Sequence, residues 1–221
     1  LFYRLGDFYE MFFEDAEIVS RELELTLTGK DCGQEKRAPM SGIPYHAAES
    51  YIAKLVSNGH KVAICEQLED PKFAKGLVKR GIVRIVTAGT LTESNLLKQN
   101  SNNYICAIYK DEKTDLFGFS YTDISTGEFK TTQAPLNLIM AELARLNPSE
   151  IVAPSLKQDI KPFQIVPDEV INLPDEITKR YNCSKIPASV FETNFAETNL
   201  KTVFKTQSLE SFGYSKYKLG F

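Results

Sequence analysis

The chain has 221 residues, of which 43% are hydrophobic, and its formal net charge is -3. This composition excludes a disordered chain, and no apolar run approaches the roughly 18 residues that a membrane helix requires. The slight negative charge disfavours a uniformly basic nucleic-acid-binding domain, so any such site has to be a local patch. The chain opens at Leu1 without a methionine, and we expect it to be a piece of a longer protein.

The cysteines indicate a reduced, intracellular protein. The four of them are far apart and form no C-x-x-C pair. Cys65 and Cys106 lie in apolar runs, where free thiols behave as small core hydrophobes. We therefore expect neither structural disulfides nor a zinc site, and no signal peptide is visible.

Two aromatic-rich segments at the start of the chain, residues 1–5 and 8–12, are predicted to be strands. Gly6 and Asp7 between them predict a two-residue hairpin turn, because glycine adopts the positive φ that such turns demand. A helix is predicted from about Glu14, with acidic residues crowding its first turn.

The rest of the first unit combines predicted helix, strand and loop. The predicted elements are a loop at 28–42, a helix at 47–58, and strands at 61–66 and 82–87. The loop prediction depends on four residues that favour turns, Gly29, Gly33, Pro39 and Gly42. These elements predict a compact α+β domain over residues 1–90, followed by a polar linker over residues 91–103.

The second unit is predicted over residues 104–221. It should open with three hairpin-connected strands, at 104–109, 116–123 and 127–132. A helix is predicted to start around Pro135 and to stop at Asn147-Pro148, and a short strand to follow at 151–153. This order resembles the opening of a ribonuclease-H-like fold. We expect residues 155–221 to be irregular.

Nothing in the sequence argues for an enzyme. There is no G-x-x-x-x-G-K-[ST] loop for a nucleotide triphosphate, and no nucleophile elbow. His46 and His60 have no metal-ligand partner nearby in sequence. One alternative is a metal-dependent nuclease in which Asp123, Asp115 and Glu128 gather two metal ions about 4 Å apart. We favour a turn role for Asp123, because Asp commonly initiates turns such as the one that follows it.

The first hairpin carries an aromatic side chain beside a carboxylate. Residues i and i+2 of a strand share a face, so Phe8 and Glu10 project together while Tyr9 and Met11 face the other way. An exposed aromatic wedge enters a base step and kinks a duplex, and a carboxylate accepts hydrogen bonds from a base edge. From the residues alone, the favoured alternative is a core phenylalanine next to a solvated glutamate.

A cationic stretch outside the hairpin also supports nucleic-acid binding. Residues 71–90 contain five cations and no Asp or Glu, the cations being Lys72, Lys75, Lys79, Arg80 and Arg84. Such a stripe tracks phosphates without reading sequence. A solvated basic loop explains the same stretch equally well.

Four segments of the first unit form a distinctive series, namely FYRLGDFYEMF at 2–12, PMSGIPYHA at 39–47, VAICEQ at 62–67 and VRIVTAGT at 83–90. Taken in this order, they resemble the MutS family of DNA mismatch repair proteins. The later stretch DISTGEF at 123–129 and the helix end at 142–148 look like the connector domain of the family. The resemblance therefore implies a small mixed α+β mismatch-recognition domain followed by a ribonuclease-H-like connector.

The resemblance also implies roles for individual residues. Phe8 would stack on one base of the mispair from the minor groove, and Glu10 would hydrogen-bond the same base. Lys30, Met40 and Arg80 occupy positions suited to contacts with the DNA backbone.

The remaining implications concern partners and location. The implied partners are mismatched duplex DNA and, through the connector, a MutL-type protein. The family's ATPase, with its ATP and Mg²⁺, and its dimerisation region lie in domains outside this sequence, so no cofactor or metal is expected here. A bacterial type would be cytoplasmic and nucleoid-associated. A protein-interaction module that docks a repair partner stays open as an alternative to DNA reading.

Overall fold

The computed structural model describes residues 1–33, 36–70, 73–74, 76–91, 102–155 and 173–220. The chain divides into two compact units, Leu1–Gln99 and Asn100–Phe221, each built around one mixed sheet with helices. The predicted mixture of helices and sheets is therefore confirmed. No helix within the described ranges is long and apolar enough to cross a membrane.

The first unit is a six-stranded sheet with two helices packed on one face. Its strands are β1 (Phe2–Leu5), β2 (Phe8–Phe12), β3 (Thr28–Lys30), β4 (Ala38–Pro44), β5 (Val62–Gln67) and β6 (Arg80–Val86). Their order in the sheet is β3-β4-β2-β1-β5-β6, with only the β1–β5 pair parallel. The helices are α1 (Phe13–Leu23) and α2 (Ala48–Ser57), the second preceded by a short 3₁₀ turn at Tyr45–Ala47.

The hairpin and the helices of this unit follow the sequence prediction. Leu5 pairs with Phe8 across the turn, and Gly6 takes a φ of +58°, in the left-handed region. Buried side chains from the two helices, including Ala16 and Leu55, meet Phe2 and Met11 from the sheet. Both helices therefore turn apolar residues towards the sheet to form the core.

The predicted loop at 28–42 is wrong, because β3 and most of β4 lie there. Proline has no N–H to donate and is tolerated only where a strand has one neighbour. Pro39 pairs only with β3, and Pro44 only with β2. Each proline therefore lies where β4 has a neighbour on one side only. The partners of β4 are distant in sequence, so local composition does not reveal that this segment is a strand.

The second unit is a five-stranded sheet in the order β11-β10-β7-β8-β9. The strands are β7 (Tyr104–Lys110), β8 (Leu116–Asp123), β9 (Phe129–Pro135), β10 (Glu150–Pro154) and β11 (Cys183–Ile186), and the helices are α3 (Leu136–Leu146), α4 (Asp175–Thr178) and α5 (Thr193–Val203). The first three strands are antiparallel and the last two run parallel to β7. The predicted end of α3 is confirmed, because Asn147 caps it in the left-handed region.

The expectation of an irregular tail is wrong for residues 173–220. These residues contain α4, β11 and α5, and β11 extends the sheet by pairing with β10. Parallel strands pair across a long connection, and no hairpin turn therefore marks them in the sequence. A strand of four residues also has too few side chains to show a clear alternation. Residues 156–172 lie outside the described residues.

Both cysteines that were expected in the core are buried. Cys65 is 6% exposed in the first unit and Cys106 is 1% exposed in the second. Burial raises the pKa of the Cys106 thiol to about 12, so it stays protonated at neutral pH. These thiols therefore act as small apolar side chains.

Replacing a buried side chain of the hairpin should destabilise the first unit. Met11 is 0% exposed and packs in the core, so Met11→Ala should lower the free energy of unfolding by about 2–5 kcal/mol. Leu138→Ala, at a residue 54% exposed in the second unit, is the control and should change it by less than about 1 kcal/mol. Urea denaturation of both variants measures the difference, and equal effects would contradict the assigned burial.

Candidate nucleic-acid interface

The hairpin presents Phe8 to solvent. The ring is 47% exposed, whereas Tyr9 and Met11, on the other face of the strand, are 7% and 0% exposed. The reading of Phe8 as a core residue is therefore wrong. The surrounding strands account for this arrangement, because Tyr9 and Met11 anchor β2 in the core and alternation then turns Phe8 outward.

Glu10 shares this face and is paired with a lysine. Lys30 Nζ lies 2.5 Å from Glu10 Oε2, and the same ammonium group lies 5.4 Å from the centre of the Phe12 ring. Lys30 belongs to β3 at the edge of the sheet, which was predicted to be a loop. Both charged residues stand out in the sequence, but their ion pair does not, because the pair exists only once β3 and β4 assemble beside β2.

The strand register places Met40 and Arg80 on the same face. Met40 is directly opposite Phe12, a same-face neighbour of Glu10. The Arg80 guanidinium lies 5.4 Å from the centre of the Tyr3 ring, and Tyr3 is directly opposite Glu10. One face of the sheet, which we call the open face, thus carries the five residues to which the resemblance gives contacts with DNA: Phe8, Glu10, Lys30, Met40 and Arg80. The helices α1 and α2 pack on the other face.

The cationic stretch does not form a single patch in the described part of the chain. The β5–β6 ladder shifts register between Ile64 and Cys65, so that Cys65 pairs with Ile82 but Ile64 pairs with Arg84. This bulge puts Arg84 on the helix-covered face and leaves Arg80 on the open face. A strict two-residue alternation would have put both on one side. Lys72 and Lys75 lie outside the described residues.

Four side chains behind the hairpin turn form a polar group that sequence analysis did not identify. The Arg4 guanidinium lies 3.6 Å from the centre of the Tyr45 ring and 3.8 Å from the Glu66 carboxylate. Tyr9 donates its hydroxyl hydrogen to Glu66. We call Arg4, Tyr9, Tyr45 and Glu66 the Arg4 cluster. Alternation alone would have placed Arg4 and Tyr9 together, since they are directly opposite in the hairpin.

Asp123 serves the turn that follows β8. It is 0% exposed, and its Oδ1 accepts hydrogen bonds from the Ser125 backbone, the Ser125 hydroxyl and the Asn103 backbone. Burial opposes its charge, but these hydrogen bonds outweigh burial and lower the pKa of Asp123. The favoured turn role is thereby supported.

The carboxylates proposed for a nuclease do not gather. Asp115 precedes β8 and Asp123 ends it, so the strand separates them. The backbone of Asp123 is bonded to that of Glu128, but the Glu128 carboxylate pairs with Lys130 and that of Asp123 with the turn. Within the described ranges no group of three His, Cys, Asp or Glu side chains is placed to hold a metal ion. His60 contacts Glu22 at 2.7 Å.

Comparison with known families gives two matches that together cover nearly the whole chain. The family model described as MutS domain I matches residues 1–95, and the one described as MutS domain II matches residues 103–220. The chain belongs to the MutS family. The open face therefore lies on MutS domain I, and the unit containing Asp123 is MutS domain II, the connector.

Curated relatives support the same assignment. DNA mismatch repair protein MutS of Acetivibrio thermocellus is 47% identical over 223 residues, which is 98% of this chain and 24% of the relative. The MutS proteins of Clostridium perfringens and Clostridium botulinum are each 50% identical, over 89% and 92% of this chain and 21% of each relative. The chain thus spans less than a quarter of the length of these relatives.

The buried Tyr9 hydroxyl should ionise unusually late. Burial, reinforced by the Glu66 carboxylate, raises the pKa of Tyr9 to about 12 from the ordinary 10.0. The folded state thus holds this proton more tightly than the unfolded state, so its stabilising effect is complete below pH 10.0 and is lost as pH rises towards about 12.

Ultraviolet difference titration of the tyrosinate band tests this expectation. Wild type should show a phenol that titrates near pH 12, and Tyr9→Phe should lack it. In urea denaturation, wild type should lose stability relative to Tyr9→Phe across the same pH interval. Tyr9→Phe has one tyrosine fewer, so its titration curve is first scaled for that difference. If the scaled curve matches that of wild type, the assigned environment of Tyr9 is contradicted.

Proposed function

We propose that the open face of the first unit binds mispaired or unpaired bases in duplex DNA. Phe8 stacks on one base of the mispair and Glu10 hydrogen-bonds the same base. The observation that carries the proposal is the exposed Phe8 ring beside Glu10, on a strand whose alternate residues are buried. Membership of the MutS family supports DNA as the ligand.

Discrimination follows from the cost of opening the duplex. Unstacking a well-paired step costs a few kcal/mol, whereas a mispair is already weakened and opens at lower cost. The aromatic ring tolerates any base, because every base presents a π-face. The Phe8 side chain, which we call the wedge, therefore tests the deformability of the duplex and does not read a particular sequence.

Glu10 sharpens this discrimination by opposing the binding of intact DNA. A carboxylate near the phosphates is penalised unless a base edge compensates it with a hydrogen bond, which only the opened mispair provides. Lys30 limits the penalty in the free protein by pairing with Glu10. Lys30, Met40 and Arg80 contribute contacts to the DNA backbone along the same face, and these contacts position the protein without specifying sequence.

The second unit transmits the recognition event. In this proposal, residues 1–90 read the DNA, and residues 104–221 connect them to the remaining length of the protein and dock a MutL-type partner. The ATPase and the dimer contacts belong to that remaining length, so this part of the chain binds rather than catalyses. The protein acts in the cytoplasm at the nucleoid. Deleting the second unit should abolish partner binding and spare DNA contact.

Phe8→Ala should remove the preference for mismatched DNA. Stacking of an aromatic side chain on a base contributes about 1–3 kcal/mol, so mismatch affinity should fall by roughly five- to 150-fold while binding to matched DNA is kept. Titration of the full-length protein with matched and mismatched duplexes measures both affinities. Phe13→Ala, at a residue 64% exposed just beyond β2, is the matched control. Persistent mismatch preference in Phe8→Ala would refute the wedge.

Glu10→Gln should strengthen binding to matched DNA. The substitution removes a negative charge that faces the phosphates and releases Lys30 from its ion pair. The slope of log affinity against log salt should steepen by about 0.9, the value for one added phosphate contact. The control is Glu14→Gln, at an exposed residue in the first turn of α1. Unchanged affinity for matched DNA would sink the proposed role of Glu10.

A further inference from the structure

The turn of the first hairpin is held from behind. Arg4 Nε donates to the carbonyl of Gly6 at 2.5 Å, and the Tyr45 N–H donates to the carbonyl of Asp7 at 3.0 Å. Both peptide carbonyls of the two-residue turn are therefore occupied. The donors belong to two chain segments, β1 and the 3₁₀ turn after β4, and the Arg4 side chain stacks on Tyr45 to join them.

This support acts where the sheet itself ends. Phe8 is the first residue of β2, and it forms the pair nearest the turn in both ladders. Its partner is Leu5 in β1 and Pro44 in β4. Hydrogen-bonded and non-hydrogen-bonded pairs alternate along an antiparallel ladder, and the bond from Tyr45 to Asp7 makes Phe8–Pro44 a non-hydrogen-bonded pair. The next donor along the chain is Tyr45, and its bond goes to Asp7. The backbone next to Phe8 is thus held by the pairing of Phe8 with Leu5 and by the contacts that Arg4 and Tyr45 make with the turn.

Arg4 is itself fixed on three sides. Its guanidinium lies over Tyr45, 5.6 Å from the centre of the Tyr9 ring, and 3.8 Å from Glu66 on β5. Its side chain is 16% exposed. Because Arg4 is directly opposite Tyr9 in the hairpin, it lies on the face away from Phe8 and Glu10. A phosphate contact on the open face is therefore outside its reach.

We propose that Arg4 is a positioning residue for mismatch reading, which fixes the hairpin turn so that Phe8 is held ready to enter a weakened base step. This inference depends on the proposed role of Phe8. A wedge that is already ordered loses little conformational freedom when it inserts, and that saving appears as mismatch affinity. Binding to matched DNA through phosphate contacts does not require insertion, so it gains nothing from the same ordering.

Arg4→Met tests the inference in the full-length protein, because it keeps the apolar stem and removes the guanidinium. Affinity for a mismatched duplex should fall about fivefold, the cost of ordering one side chain and its turn. Affinity for a matched duplex and its salt dependence should stay unchanged. Arg4→Lys keeps a charge beside Glu66 but lacks the planar guanidinium, so its affinity for the mismatched duplex should lie between those of wild type and Arg4→Met.

A direct readout of position separates this role from a general loss of stability. A 4-fluorophenylalanine placed at residue 8 alone reports the wedge by fluorine NMR without DNA. We expect one sharp resonance in wild type and a shifted or broadened one in Arg4→Met. The matched control is Arg21→Met, an exposed cation in the last turn of α1, which should leave the resonance and both affinities unchanged. Tyr45→Leu provides the same test if Arg4→Met does not fold.

The outcomes distinguish this inference from the proposed function. An unchanged fluorine resonance in Arg4→Met overturns the positioning role, whatever happens to affinity. Equal losses on matched and mismatched DNA overturn it as well, because they indicate a general binding defect. If Phe8→Ala keeps its mismatch preference, the proposed function fails, and the fluorine spectrum still decides whether Arg4 orders Phe8.

Discussion

The alternation of side chains along β2 is the constraint on which the interface depends. Tyr9 and Met11 are buried beneath α1 and α2, and this burial fixes the register of the strand. A slip of one residue would expose those two side chains and bury Phe8 with the charged Glu10, at a cost of several kcal/mol. The core of the unit therefore sets the face of the strand on which Phe8 lies, and the contacts of Arg4 and Tyr45 with the turn hold it there.

Charge on the open face is arranged locally, in a chain whose net charge is -3. Glu10 is neutralised by Lys30, and Arg80 adds a cation further along the sheet. Under the proposed function, such a face attracts DNA weakly and without regard to sequence, so the aromatic side chain of Phe8 has a large share in selectivity.

The second unit illustrates how a carboxylate is used for structure. Asp123 sits at the end of β8, and its Oδ1 accepts three hydrogen bonds from the turn and from Asn103. These bonds keep it charged despite burial, because they outweigh the loss of hydration. Asp123 therefore stabilises the turn between β8 and β9 of the connector.

Local sequence determined the hairpin, the helices α1 to α3 and the shared face of Phe8 and Glu10, whereas burial of Tyr9 and Met11 in the assembled core turned that face to solvent. Turn chemistry and hydrophobic periodicity act over a few residues, so they are legible without the fold. Tertiary structure decided the strands β3, β4 and β11, the bulge that separates Arg80 from Arg84, the Glu10–Lys30 ion pair and the Arg4 cluster. Each of these depends on segments distant in sequence, whose pairing energy overrides local turn signals and appears only when the sheet has formed.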